Sequence, residues 1–364
     1  MIRSLYLSSM RNLREGNWTF GDGITIISGK NGTGKTTLLE AVYLLCEGFS
    51  FRSRNLNDLI SWNLQEMILR GELFLSADEP SILSRAISIN RARGITAKKD
   101  GVECKSASAF FGNIPAVIMQ PADMEMVRGA PENRRRYLDE LLCFKNARNA
   151  DLLRRYRRVL LERNQWLKQN KLGEAVGGED LFSVLTQQLM DLAAKLWVER
   201  FALVNEIAPI ICAYYERLAG TADEVAVSYK SSVDFSSEVL EKSLRTKFAE
   251  KLDTLDFAER MQGITLAGPH KDDLFLSLHG HEMRYSGSQG QCRSATIALR
   301  FAASDIASSH LASPVLLLDD VFAELDPFRR MAVSELIRQK KCQVFVAAPR
   351  AEDLPFTADA EIRM

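Results

Sequence analysis

GKNGTGKT, residues 29–36, fits the pattern G-x-x-x-x-G-K-[ST] without a mismatch. The pattern signifies a phosphate-binding loop only between a strand and a helix, and both flanks are present. GITIISG (23–29) is an apolar strand that ends in glycine. TTLLEAVYLL (36–45) is a helix with Leu38, Leu39, Val42 and Leu45 on one face. In that setting the backbone of Gly29, Lys30, Asn31, Gly32, Thr33, Gly34, Lys35, Thr36 and Thr37 can wrap the phosphates of ATP, aided by the positive end of the helix. Lys35 is expected at the β and γ phosphates and Thr36 on Mg²⁺.

The second half of such a site should be a buried strand with acids at its carboxyl end, where open α/β sheets bind ligands. PVLLLDDVFAELDP (314–327) supplies it. Asp319 is expected to hold Mg²⁺, through water or Thr36, and Asp320 to orient or deprotonate the attacking water. Alone the stretch is a strand followed by an acidic turn; the phosphate loop changes its meaning.

The chain of 364 residues is long enough for one large domain or two. It is 46% hydrophobic and 26% charged, which suits a globular protein with a real core. No run of eighteen apolar residues is present, so no membrane span or membrane partner is expected. Six scattered cysteines form no CxxC pair, which argues against a disulfide framework or zinc site and for a reduced, cytoplasmic protein. Lys plus Arg equals Asp plus Glu, 47 each, yet residues 128–171 hold thirteen basic and five acidic side chains. Such asymmetry suggests an anionic partner.

Residues 1–120 consist mostly of strands: EMILRGELFL and SRAISIN alternate, KKDGVE is a hairpin turn, and IPAVIM (114–119) is a buried strand. Residues 121–261 are mostly helical. The run 151–168 places Leu152, Leu153, Tyr156, Val159, Leu160, Trp166 and Leu167 on one stripe. KLGEAVGGED (171–180) is a turn, and a second helix over 181–218 should pack back on the first as an antiparallel arm. EVAVSYK is a short strand and 236–252 a helix. From 262 strands and helices alternate again, through DLFLSLHG, a helix over 288–310, SPVLLLDD, a helix over 326–340 and a last strand, CQVFVAA. That order predicts a mostly parallel sheet. The expected division is 1–120 plus 262–364 against 121–261.

SGSQGQCRS (286–294) opens the helix before the acidic strand. Ser286 or Ser288 serves as an N-cap in the plain case. Otherwise the stretch is a second phosphate-binding helix start.

The order of phosphate loop, GSQGQ, LLLDD and AELDP resembles the ABC-type ATPases of the SMC class. The match tightens to the RecF family through NGTGKTTLLEAVYLL, SFRSR, PADMEMVRGAPENRRRYLDELL, GPHKDDL and YSGSQGQCRSATIAL. The resemblance implies an α/β fold: an ABC-type P-loop ATPase head, with a largely parallel sheet flanked by helices and an antiparallel strand layer, and an inserted helical arm. It implies that Ser288, Gln289, Gly290 and Gln291 form a signature that closes on ATP held by a second copy, with Glu324, Leu325 and Asp326 as the D-loop along that dimer interface. Gln120 falls where the wider class has its Q-loop glutamine, so the resemblance gives it a catalytic contact to Mg²⁺ or water. The chain departs from the family at Thr37, where asparagine is frequent. It departs also at Ala347 and Ala348, where a threonine or switch histidine is expected to sense the γ-phosphate. His270, within GPHKDD, is expected to be structural.

The resemblance further implies weak DNA-stimulated ATP hydrolysis and an ATP-dependent homodimer on double-stranded and gapped DNA. It implies cooperation with RecR, and functionally with RecO and RecA. The helical period puts Arg154, Arg155, Arg157 and Arg158 opposite the apolar stripe. With Arg134 and Arg135, the residues Arg154, Arg155 and Arg158 are the expected DNA contacts, to backbone phosphates rather than base edges. A nucleotide-switched DNA-binding scaffold with little hydrolysis is the main alternative. A transport ATPase ranks low: Lys35 and Ser288 stand 253 residues apart and no histidine follows the last strand. An SMC-type clamp needs longer heptad arms.

Overall fold

Alternation of apolar and polar residues near the N-terminus builds one antiparallel sheet. β1 (Ile2–Met10), β2 (Leu13–Thr19), β4 (Glu66–Phe74), β5 (Ile82–Asn90), β6 (Gly94–Lys99) and β7 (Val102–Glu103) join in the order β2-β1-β4-β5-β6-β7. These elements come from a computed structural model, which describes residues 1–74, 82–104, 114–171, 178–221, 223–234 and 240–364. A second sheet is built from short apolar runs: β3 (Ile24–Ser28), β8 (Ala116–Met119), β12 (Val315–Asp319), β13 (Val344–Ala348) and β14 (Ala360–Arg363). Its order is β14-β3-β13-β12-β8, with every pairing parallel, as the alternation predicted. β14 was not anticipated; AEIR carries no apolar run.

Helix α1 (Lys35–Glu47) follows β3. Leu38, Leu39, Val42 and Leu45 were expected on one face, but Ala41, Tyr43, Leu44 and Cys46 are buried as well. α1 packs on β8, β12 and β13 of one sheet and on β1, β4 and β5 of the other, so no side of it meets water. Its last carbonyls are satisfied from within: Arg85, 1% exposed, donates to Leu45 O at 2.9 Å and Cys46 O at 2.8 Å.

The longer helices are α2 (Pro131–Lys145), α3 (Arg148–Lys171), α4 (Gly178–Ala219), α5 (Glu241–Gln262), α6 (Gln289–His310) and α7 (Pro327–Gln339). α3 and α4 run antiparallel as expected: Trp166 stacks on Phe182 at 4.4 Å, and Arg163 donates to Thr186 at 3.0 Å. Within the expected turn 171–180, residues 172–177 lie outside the described residues. So do 236–239 of the helix expected over 236–252, which is described from Glu241 onward.

The chain divides into two compact units. One holds Met1–Asp123, Tyr214–Thr221 and Arg293–Met364; the other holds Met124–Ala213 and Ala222–Cys292. This corrects the expected boundaries, because residues 262–292 fall in the second unit. Strand β10 (Asp273–Leu278) there pairs with β9 (Val225–Lys230) and β11 (His281–Glu282). Buried Asp272 also accepts from Trp197 Nε1 at 2.5 Å, Tyr229 Oη at 2.7 Å and Ser232 N at 2.7 Å. Tyr214–Thr221 falls in the first unit, where Tyr214 donates to Asp305 at 2.6 Å. Among the described residues no helix is long and apolar enough to cross a membrane.

Candidate functional site

β3 delivers the chain to the phosphate loop at Ser28, and the loop's shape requires glycine at two points. Gly34 has φ 115°, and a Cβ there would sit 2.5 Å from Leu13 Cδ2. Gly29 has φ 155°, and a Cβ would meet Met364 O at 2.8 Å, beside the end of β14. The loop is braced from outside as well. Asn12 Nδ2 donates to Gly32 O at 2.8 Å, and Thr37 Oγ1 donates to Asn12 Oδ1 at 2.8 Å. The Thr37 hydroxyl therefore serves the loop's framework. Lys35 Nζ donates to Gly29 O at 2.7 Å and Lys30 O at 3.1 Å, so its charge lies inside the curve of the loop. Thr33 Oγ1 also donates to Lys30 O, at 3.0 Å.

Strand order brings the acids to this loop. In β12, Asp319 is level with Ala347 of β13, which is level with Ile27 of β3. Thr36 Oγ1 donates to Asp319 Oδ1 at 3.0 Å, joining residues far apart in sequence. Burial raises the Asp319 carboxyl above its ordinary value and Asp320 adds to the rise; the Thr36 hydroxyl, Arg52 and Lys35 oppose it. Asp320 adopts φ 50°, a left-handed conformation, and its Oδ1 is buried with no hydrogen-bond partner. A strained acid with an open acceptor is common where a reacting molecule completes the hydrogen bonding. On the other flank of β12, Leu318 is level with Met119, so Gln120 follows at the carboxyl end of β8. Its backbone N donates to Asp123 Oδ2 at 2.9 Å, and Arg300 clamps Asp123 at 2.6 and 3.0 Å.

The oxygen donors Thr36 and Asp319 suit Mg²⁺, a hard ion that binds through one or two protein oxygens plus substrate phosphates and water. Among the described residues no group of three His, Cys, Asp or Glu side chains could hold a metal by itself.

Sequence reasoning missed the wall of the site. Glu40, fully buried in α1, accepts from Arg11 Nε at 2.5 Å and Nη2 at 2.7 Å, from Arg52 Nη1 at 3.4 Å and from Ser50 Oγ at 2.5 Å. Arg11 and Arg52 line a cavity of about 1170 Å³ together with Gly32, Gly34, Lys35 and Thr36. The signal was present: Glu40 is the one charged residue in the run TTLLEAVYLL.

At the expected signature, Ser288 is the helix cap. Gln291 N donates to Ser288 Oγ at 3.2 Å and Ser288 N donates to Gln291 Oε1 at 2.9 Å, a reciprocal capping box. Gln291 Nε2 reaches Asp223 at 3.1 Å. Ser288 and Gln289 are exposed and Gly290 half-buried. As an acceptor from Gln291, the Ser288 hydroxyl keeps its own O–H as a donor. In the expected D-loop, Glu324 pairs with Arg293, Leu325 is buried, and Asp326 caps α7 by accepting from Arg329 N at 3.0 Å. That bond and the Arg329 guanidinium hold Asp326 below the usual carboxylate range. Arg329 Nε also donates to Ser294 Oγ, at 2.9 Å.

On α3 the apolar stripe is inward and Arg154, Arg155, Arg157 and Arg158 are exposed, as the period required. Arg134 is not on a DNA surface. It is 3% exposed, holds Asp273 through two bonds of 2.7 and 2.8 Å, and donates to Gly129 O at 3.0 Å. Arg135 is half-buried and donates to Asp272 O at 2.9 Å. Arg163 is likewise internal, 2.7 Å from Glu259. Part of the local basic excess therefore neutralises buried acids. Within GPHKDD, His270 is held by the fold: its Nδ1 lies 2.7 Å from Tyr156 Oη, and burial lowers its pKa to about 4.

A family model described as "RecF/RecN/SMC N terminal domain" matches residues 1–361. The chain is 33% identical to the DNA replication and repair protein RecF of Geobacter sulfurreducens, over 95% of this chain and 92% of that protein. It is 31% identical to the RecF protein of a Geobacillus species, over 97% and 93%. Among solved structures, "the recombination mediator protein RecF-ATPrS in RecFOR pathway" superposes with TM-score 0.90 at 26% identity, covering 100% of this chain and 96% of that one. An SMC head bound to the C-winged helix domain of ScpA superposes with TM-score 0.58 at 14% identity, covering 100% and 93%, a likeness of fold alone.

Proposed function

The chain belongs to the RecF family, within the RecF/RecN/SMC class, and from that membership and the geometry at Thr36 we propose that it is an ATP-dependent DNA-binding recombination mediator. The observation that carries the proposal is the 3.0 Å bond between Thr36 and Asp319 at the mouth of the phosphate loop. Solved relatives are described as RecF with ATP in the RecFOR pathway, which supports ATP as the ligand.

Lys35 exchanges its two loop carbonyls for the β and γ phosphate oxygens of ATP, since a charged donor prefers anionic oxygen. Thr36 and Asp319 would hold Mg²⁺, with Gln120 just past the end of the neighbouring strand, and the ion would supply charge neutralisation. Asp320 uses its open Oδ1 to orient the attacking water and accept its proton. Ser288 of a second copy donates its free O–H to the γ-phosphate, with Gln289, Gly290 and Gln291 beside it. ATP thus joins two copies and hydrolysis parts them. Glu324, Leu325 and Asp326 follow the junction.

The dimer closes on duplex DNA next to a gap, through phosphate contacts from Arg154, Arg155 and Arg158. RecR is its partner there, and RecO cooperates functionally so that RecA loads at the gap. Hydrolysis is slow and DNA-stimulated. The nucleotide-switched scaffold with little turnover keeps one specific support: buried Ala347 and Ala348 offer only methyl groups at the end of β13.

The test is binding to a gapped duplex with ATP or ADP across a salt series. Tighter binding with ATP, and a shallower salt slope after Arg154, Arg155 and Arg158 are changed to Glu, are expected. Equal binding with both nucleotides would remove the switch, and an unchanged slope would remove α3 from the DNA path.

A further inference from the structure

Trp62 is 93% exposed, more than any other large apolar side chain among the described residues. The three other tryptophans are buried or half-buried. An exposed indole presents a broad, rigid apolar face on which a flat aromatic partner can stack. Its setting is fixed. Ile60, two residues before it, is 1% exposed and forms a β-bridge with Met10. Ser61 N donates to Ser9 O at 2.9 Å, Leu64 N donates to Ser61 O at 3.1 Å, and Arg91 Nε donates to Leu64 O at 3.1 Å. Asn63 turns the chain with φ 66°. The backbone on both sides is therefore pinned while the ring stands free.

Trp62 lines the same cavity of about 1170 Å³ as Gly32, Gly34, Lys35 and Thr36. At the phosphate end that cavity offers amides, a lysine and a hydroxyl. Among the described residues that line it, Trp62 is the only aromatic one and offers a flat apolar surface. A nucleoside triphosphate has the same division between an anionic tail and a flat aromatic base. We propose that Trp62 is the platform on which the base of the bound nucleotide stacks. This rests on the nucleotide site of the preceding section and adds the element that recognises the base. Stacking on an indole reads a π-face and no hydrogen-bonding edge, so the platform favours purines over pyrimidines and separates adenine from guanine poorly.

The experiment is calorimetric binding of ATP and of inorganic tripolyphosphate, each with Mg²⁺, to wild type, Trp62→Ala and Trp62→Phe. Because the ring touches little of the fold, all three should unfold at the same temperature. Trp62→Ala should weaken ATP binding roughly tenfold, Trp62→Phe much less, and neither should alter tripolyphosphate binding. Equal ATP affinity in wild type and Trp62→Ala overturns the platform and leaves the nucleotide site standing. Equal weakening of ATP and tripolyphosphate also overturns it, since the loop would then act on the phosphates. If wild type binds no ATP, the nucleotide site itself fails.

Discussion

Replacing Arg134 by alanine should destabilise the second unit and leave DNA affinity of the folded protein unchanged. Arg134 is 3% exposed and its partner Asp273 20% exposed as side chains, at 2.7 Å. The substitution removes both bonds to Asp273 and a donor to Gly129 O. Breaking a buried pair by deleting one partner costs about 3–5 kcal/mol. Asp273 retains some access to water, which places the loss near 3 kcal/mol. With a urea dependence of ~1–3 kcal/mol per molar, the midpoint should fall by about 1 M or more. The exposed Arg154–Asp151 pair, at 79% and 50% exposure, is a control: Arg154→Ala should cost below about 0.5 kcal/mol. The assay is urea unfolding followed by circular dichroism, paired with DNA binding at low urea. Arg134→Met combined with Asp273→Leu should recover much of the loss, because no charge is then left buried alone. An unchanged midpoint with weakened DNA binding would refute the burial of Arg134 and return it to the DNA surface.

Glu40→Gln should lower the melting temperature and weaken ATP binding together, because Arg11 and Arg52 lose the carboxylate that fixes them at the cavity wall. Bonds to charged groups contribute ~1.5–3 kcal/mol, and calorimetry with and without ATP would show the loss. An unaltered melting temperature would contradict the role given to Glu40. His270 has a pKa of about 4 in the fold, below the ordinary 6.5, so its contribution is fully present above pH 6.5 and is lost as pH falls from 6.5 toward 4. His270→Gln should flatten the fall of the urea midpoint over that window, by up to ~1.4 kcal/mol per pH unit; parallel curves would exclude it. Ser288→Ala should cost ~1 kcal/mol of stability through the lost cap at α6, while Ser288→Thr, which can still cap, should cost less.

The phosphate loop and the acids that face it were legible because their parts are local. The phosphate loop occupies eight consecutive residues between a strand and a helix, and Asp319 and Asp320 stand at the end of an apolar strand. The period of α3 separated Arg154, Arg155, Arg157 and Arg158 from the buried stripe for the same reason. Contacts across long separations were not legible. Arg134 meets Asp273 across 139 residues and Arg163 meets Glu259 across 96. A hint existed: Arg134 shares a helical face with Leu138 and Leu141, and Arg163 shares one with Val159 and Trp166, all buried. A guanidinium on an apolar stripe has a buried acid to meet. β14 escaped because four residues with two charges carry no period, and its pairing with β3 is decided by tertiary structure. The boundary at 262 failed because β10 pairs backward with β9, which no local pattern records.

In the proposed dimer a nucleotide joins two copies, each completing the other's site. Sedimentation velocity with and without ATP and Mg²⁺ tests it, on wild type, Lys35→Met, Ser288→Arg and an equal mixture of the two variants. ATP should dimerise wild type and neither variant alone. The mixture should form dimers with one intact composite site, pairing a wild-type phosphate loop with a wild-type signature. Dimerisation of Ser288→Arg alone with ATP, or wild type that stays monomeric, would exclude the shared nucleotide site.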